Sequence, residues 1–188
     1  MKKIAGIDYS INHPAVCIND NGEFHFYCFA EKLSKKNLFT EGYTLKKLEK
    51  CGDNIVDASL IAKDIVKILK NHGITICNLE GYSYMSSSKS LFQIAENTGI
   101  LKHFLIQAGI KINIIPPSEC KKRAGSGNYR KPEMLLAFLK ENLKNNTFWK
   151  NCKKYEDELF TYNQDKSMIK GIKKPFEDII DSYWISLI

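Results

Sequence analysis

Two short apolar runs in this chain each end on a carboxylate, and that pattern narrows the folds open to it. Ile4-Ala5-Gly6-Ile7 ends at Asp8, and Ile74-Thr75-Ile76-Cys77-Asn78-Leu79 ends at Glu80. Both runs read as strands, the second covered on both faces as in a parallel sheet. In an open α/β sheet, functional groups gather at the carboxyl ends of strands, so adjacent parallel strands would deliver Asp8 and Glu80 to one edge. Asp178 and Asp181 stand three apart in an apolar C-terminal segment, a spacing that puts both on one helix face. Glu177 lies about one residue off that face.

Carboxylates held against an apolar core are costly unless compensated. Metal ions compensate them, and a set of hard oxygen ligands suits Mg²⁺, with Mn²⁺ as a substitute. Four acids are about what two ions per site require, set roughly 3.5–4 Å apart. Each acid alone is also an ordinary turn or cap residue, so the joint arrangement carries the argument.

The rest of the chain supplies a frame for those strands. Residues 3–8, 15–19 and 23–30 read as an antiparallel meander, with Asn21-Gly22 as a hairpin turn. Residues 31–50 are Lys-rich and read as a surface connection. A helix capped by Asp53 or Asn54 runs to about residue 72, and strand 74–80 follows. Helix 91–108, strand 111–115 and a helix from Lys131 to about residue 145 come next, Ser118 capping a short turn between the last two. Residues 146–174 mix aromatics with charge and read as a helical excursion or a mobile arm. Pro175 opens the final helix. The sum is an α/β domain with a mixed five-stranded sheet, an antiparallel meander followed by parallel strands, flanked by helices. At 188 residues the chain suits one domain spanning 1–188, with a possible insertion at 146–174.

Charge points to the partner. The formal net charge is +7, which favours a polyanion. The stretch 116–131 places Lys121, Lys122, Arg123, Arg130 and Lys131 around Gly125 and Gly127. Glycines let backbone approach phosphate closely and the cations supply charge. It is no Walker A loop, because Gly-Lys-Ser/Thr is missing at the required spacing. Tyr82 and Tyr84, just beyond Glu80, are candidates for stacking on unpaired bases. The six cysteines are scattered without a C-x-x-C pair, and neither a signal peptide nor a membrane-spanning run is legible. Free thiols in a reducing cytoplasm, away from membranes, are the expectation.

Taken in order, these segments resemble the RuvC-type Holliday junction resolvases of the RNase H-like superfamily, in divergent versions carried by bacteriophages. "IAGIDYS" is similar to the opening strand with its metal-binding Asp, and "ICNLEGYSY" to the strand bearing the family's Glu. "SLFQIAENTGILKHFL" resembles the helix of the family's dimer interface. "IPPSECKKRAGSGNYRKPEMLLAF" resembles its P-x-x-V-K and G-x-G-x-A-x-K segment, and "DIIDSYWIS" its closing helix. Asp8 is followed by Tyr9-Ser10 where the family has Pro-Gly, and bulky Tyr183 and Trp184 follow Ser182.

The resemblance implies a homodimeric, Mg²⁺-dependent endonuclease that cuts Holliday junctions or related branched DNA, forks and flaps included, leaving 5′-phosphates. It implies Asp8, Glu80, Asp178 and Asp181 as metal ligands, Asp178 being chosen over Glu177. Lys131, with Lys121 or Lys122, would act on the phosphate, and a phage enzyme would work in the bacterial host cytoplasm. Two rival readings stand beside it. One is a non-catalytic protein that binds branched DNA. The other is an actin-like ATPase or sugar kinase fragment, since "GIDYS" also resembles that superfamily's first phosphate strand; the second glycine-rich loop and the length are missing.

Overall fold

The computed structural model describes residues 3–10, 12–31, 38–48, 50–82, 88–164 and 168–188. Strands β1 (Ile4–Asp8), β2 (Ala15–Asp20) and β3 (Glu23–Ala30) form the expected meander. Asn21 and Gly22 both take positive φ, 55° and 93°, the backbone that a two-residue hairpin requires. β4 (Thr44–Lys47) then pairs parallel to β3. Helix α1 (Asn54–Asn71) starts at Asp53, whose carboxylate accepts from the Ile55 and Val56 N–H groups. β5 (Ile76–Glu80), α2 (Ser88–Gln107) and β6 (Lys111–Ile115) follow, β5 lying parallel between β1 and β6. The sheet runs β4-β3-β2-β1-β5-β6, so β1 and β5 are interior strands.

The second half covers one face of that sheet. It comprises α3 (Pro117–Ala124), α4 (Lys131–Lys140), α5 (Thr147–Lys154), α6 (Glu156–Leu159), the hairpin of β7 (Phe160–Tyr162) and β8 (Ile169–Ile172), and α7 (Phe176–Ser186). Two cores result. Ala5, Ile7, Cys77 and Leu79 join Ile61, Ile65, Leu101 and Leu105 of α1 and α2 on one face. On the other, Phe26, Phe138, Phe148, Phe176 and Tyr183 form an aromatic core. The fold class matches the sequence reading: a mixed α/β sheet flanked by helices.

Three local expectations change. The sheet has six strands, because residues 44–47 of the Lys-rich connection form an edge strand. Its Thr-Leu-Lys-Lys sequence is short and charged, which suits an edge but gives no strand periodicity. Helix α4 stops at Lys140, where Glu141 turns extended. Side chains from α5 take up the carbonyls freed there: Trp149 Nε1 donates to Phe138 O at 3.0 Å and Lys153 Nζ to Leu139 O at 3.1 Å. Pro116, not Ser118, is the N-cap of α3.

Residues 146–164 and 168–174 are built into the molecule. Asn146 caps α5, accepting from the Trp149 N–H at 3.0 Å while donating to Phe24 O at 3.0 Å. Phe148 is fully buried against Phe26, their ring centroids 4.8 Å apart. A Cβ on Gly42 would lie 2.2 Å from the Phe148 nitrogen, so only glycine lets α5 seat there. The helical-excursion reading therefore fits the described residues, with a β-hairpin added.

Candidate functional site

Strand pairing sets the site. Ala5 pairs with Cys77, Gly6 with Asn78 and Ile7 with Leu79. One step further along both strands are Asp8 and Glu80. Alternation sends Ile7 and Leu79 to the α1/α2 core, and sends Gly6, Asp8, Asn78 and Glu80 to the face covered by α7.

Helix α7 approaches that face closely because Gly6 has no side chain. A Cβ there would stand 2.2 Å from the Ser182 carbonyl oxygen and 2.4 Å from the Ser186 nitrogen. Buried amides fix the helix in register: Asn113 Nδ2 donates to Asn78 Oδ1 at 3.0 Å, and Asn78 Nδ2 donates to Ile185 O at 2.9 Å. The amide thus adds a partner to a carbonyl of the last turn, which also accepts from the Leu187 N–H. Asp178 and Asp181, one turn apart, are consequently buried beside the strand ends.

The four carboxylates feel one another. Burial, then Glu80, Asp178 and Asp181, hold the Asp8 carboxyl well above the usual range, against the pull of Lys131. Burial, then Asp181, pushes Glu80 up to about 7. Burial pushes Asp178 up to about 6 although Lys174 opposes it, and burial also raises Asp181 against Lys131.

Two lysines answer this charge. Lys131, at the first position of α4, forms an ion pair with Asp181, and Lys174 forms one with Asp178. Glu177 lies between the two ammonium groups, 3.5 Å from Lys131 and 3.4 Å from Lys174. Burial disfavours both ammonium charges, but the acids outweigh it and keep them protonated. Lys174 escaped the sequence reading, and Glu177 turns out to serve the lysines. The signal available for Lys174 was its i,i+4 spacing to Asp178. Cys120, buried at the α3 end of the site, senses the fields of Glu80, Asp181 and Asp8, which help burial raise its thiol to about 12.

The remaining candidates spread outward. Lys121 lies near enough to Glu80 to lower its pKa, whereas the Lys122 stem lies 3.5 Å from a Cβ position on Gly127. Arg123 and Arg130 are exposed. Tyr82 is exposed, with Lys102 Nζ 5.1 Å from its ring centroid. Tyr84 lies outside the described residues.

Among the described residues, no three His, Cys, Asp or Glu side chains stand in an arrangement ready to hold a metal ion. As oriented, Asp178 and Asp181 reach toward lysines. The donor chemistry nonetheless fits a hard divalent cation. Asp8 lies near enough to Glu80, Asp178 and Asp181 for their charges to raise its pKa, and Asp178 Oδ2 is a buried oxygen without a hydrogen-bond partner.

A central parallel pair ending in acids, a meander on one side and a closing acidic helix define an RNase H-like fold of the RuvC type. Two solved structures share it. The chain is similar to Thermus thermophilus RuvC, with a TM-score of 0.58 at 14% identity, over 98% of this chain and 91% of that one. It is equally similar to T. thermophilus RuvC in complex with a Holliday junction substrate, with a TM-score of 0.60 at 12% identity, over 100% and 91%. No protein-family model and no curated protein matches the sequence. At such identities the likeness establishes the fold, which is the fold the motifs led us to expect. No helix among the described residues is long and apolar enough to cross a membrane.

Proposed function

We propose that this protein is a structure-selective endonuclease that cuts Holliday junctions or related branched DNA by divalent-metal-dependent phosphodiester hydrolysis. The observation that carries this reading is the placement of Asp8 and Glu80 at the ends of adjacent parallel strands, with Asp178 and Asp181 buried on α7 near enough to raise the Asp8 pKa and Lys131 paired to Asp181. Mutually destabilised carboxylates are an expensive arrangement that folding alone does not require. The RuvC-type fold, in which a solved relative holds a Holliday junction, supports the same substrate class.

Asp8, Glu80, Asp178 and Asp181 would hold Mg²⁺ or Mn²⁺, two ions per site. When bound, such ions supply an activated water and offset the charge on the leaving 3′ oxygen. Lys131 and Lys174 pair with Asp181 and Asp178. The Lys131 ammonium would meet the scissile phosphate, with Lys121 near Glu80. Glu177 keeps both lysines within reach of the centre. Products carry 5′-phosphates.

A homodimer would present two centres to opposing strands. Exposed Phe92 and Ile106 on α2 and Ile55 on α1, beside a groove of about 540 Å³ lined by Ile55, Ile100 and Phe104, support that assembly. The experiment is cleavage of a panel of end-labelled junctions, forks, flaps and plain duplexes in Mg²⁺ and Mn²⁺. We expect paired cuts near branch points that a DNA ligase reseals through 5′-phosphates. Binding to branches without cutting would return the protein to the non-catalytic reading.

A further inference from the structure

The hairpin before the last helix builds a second surface next to the acids. Between β8 and α4 runs a groove of about 520 Å³. Leu136, Met168 and Ile169 give it an apolar wall, and these side chains are 38%, 60% and 38% exposed. Arg130, Lys131 and Lys170 line it with positive charge. Glu133 is the one acid among its lining residues and is committed to Arg130, accepting from its backbone N–H at 2.8 Å. Lys131 belongs to both places, since its ammonium pairs with Asp181 and the residue lines the groove. The groove therefore adjoins the acids.

Large apolar side chains gathered in the open and rimmed by cations contribute little to folding and mark a binding surface. The complement is a group that is flat and apolar on one side and anionic on the other. Duplex DNA offers phosphates but hides its base faces in the stack. An unpaired nucleotide presents both together. The volume lies within the few hundred Å³ typical of sites for molecules of nucleotide size. We propose that this groove holds an unpaired nucleotide from the strand that crosses the acid site. The hairpin would then select DNA that is already open at a branch. The inference rests on the nuclease reading for which strand is held, and on the groove itself for what is held.

The test is fluorescence anisotropy in Ca²⁺ with two labelled forks. One carries a few unpaired nucleotides at the branch, and the other carries abasic sugars at those positions. The wild-type protein should bind the base-bearing fork about 10-fold more tightly, the scale of base stacking on a protein surface. Ile169→Asp and, separately, Leu136→Asp should remove the preference while leaving binding to the abasic fork. Both positions are partly exposed, and a retained thermal transition confirms folding. Equal binding of the two forks by wild type overturns the proposal, as does a preference that survives both substitutions. If Ile169→Asp splits a dimer in sedimentation and the preference stays, the groove belongs to a second copy and the proposal falls. Cleavage of both forks in Mn²⁺ reads the nuclease separately. Cutting without preference sinks the groove alone, and preference without cutting sinks the nuclease alone.

Discussion

Ala5, Ile7, Cys77 and Leu79 point from β1 and β5 into an aliphatic core under α1 and α2, whereas their immediate neighbours Gly6, Asp8, Asn78 and Glu80 face α7. The same two strands thus present a dry face and a charged one, separated by the two-residue period of a strand. On the dry face every side chain adds to stability. On the α7 face a glycine gives up packing for a close helix, an asparagine holds that helix in register, and two acids have pKa values raised by burial and neighbouring carboxylates. A sheet that gains stability on one side can carry that unfavourable charge on the other.

The comparison breaks most completely at Gly6. A side chain there meets backbone at 2.2 Å, and backbone cannot rotate away. Gly6→Val is expected to abolish the cooperative thermal transition in circular dichroism, because α7 cannot seat. A Gly6→Val protein with native stability would mean that α7 does not lie where we place it.

Next come the two neighbours Leu79 and Glu80. Leu79→Ala should cost about 2–5 kcal/mol, since Leu79 is fully buried among aliphatic side chains, and should leave the stabilisation by Mn²⁺ unchanged. Glu80→Gln should do the reverse. It should gain roughly 1–3 kcal/mol at pH 8 without metal and lose the Mn²⁺ response. The sign follows from the raised carboxyl. Glu80 goes from an ordinary 4.5 to about 7 in the folded protein. The native state therefore holds its proton more tightly than the unfolded chain. That contribution is complete below about pH 4.5 and is lost as pH rises through about 7. Chemical denaturation of metal-free protein should show stability falling across this window, and Mn²⁺ should restore most at the alkaline end.

A smaller effect is expected at Lys174. Lys174→Met leaves Asp178 buried without its ammonium partner. It should cost about 1 kcal/mol in metal-free protein, a value held down by the partial exposure of Lys174. It should also tighten Mn²⁺ binding several-fold in calorimetry, because an ammonium no longer competes for the carboxylate. Weaker Mn²⁺ binding would show that Lys174 does not compete there.

This contrast between faces also explains what the sequence could reveal. Asp8 and Glu80 were readable because each terminates an apolar run whose strand character is strong. Asp178 and Asp181 were readable because a spacing of three shares a helix face. Strand β4 was not, since four residues rich in lysine have no period to detect. Lys174 and Glu177 were passed over because their roles depend on where α4 brings Lys131, a tertiary fact. Lys121 and Lys122 are adjacent in sequence, and only the orientation of α3 sets one toward Glu80. Residues 146–174 resisted reading because buried Phe148, Phe160 and Ile172 alternate with exposed lysines in no single period, the segment being half helix and half hairpin.

Metal-dependent cutting of a synthetic four-way junction by wild-type protein and by Asp8→Asn tests the central claim most directly. The account predicts paired cuts by wild type in Mg²⁺ or Mn²⁺, none in chelator, and none by Asp8→Asn in either metal, with junction binding in Ca²⁺ retained by both. Full cutting by Asp8→Asn, or undiminished cutting in chelator, would contradict it.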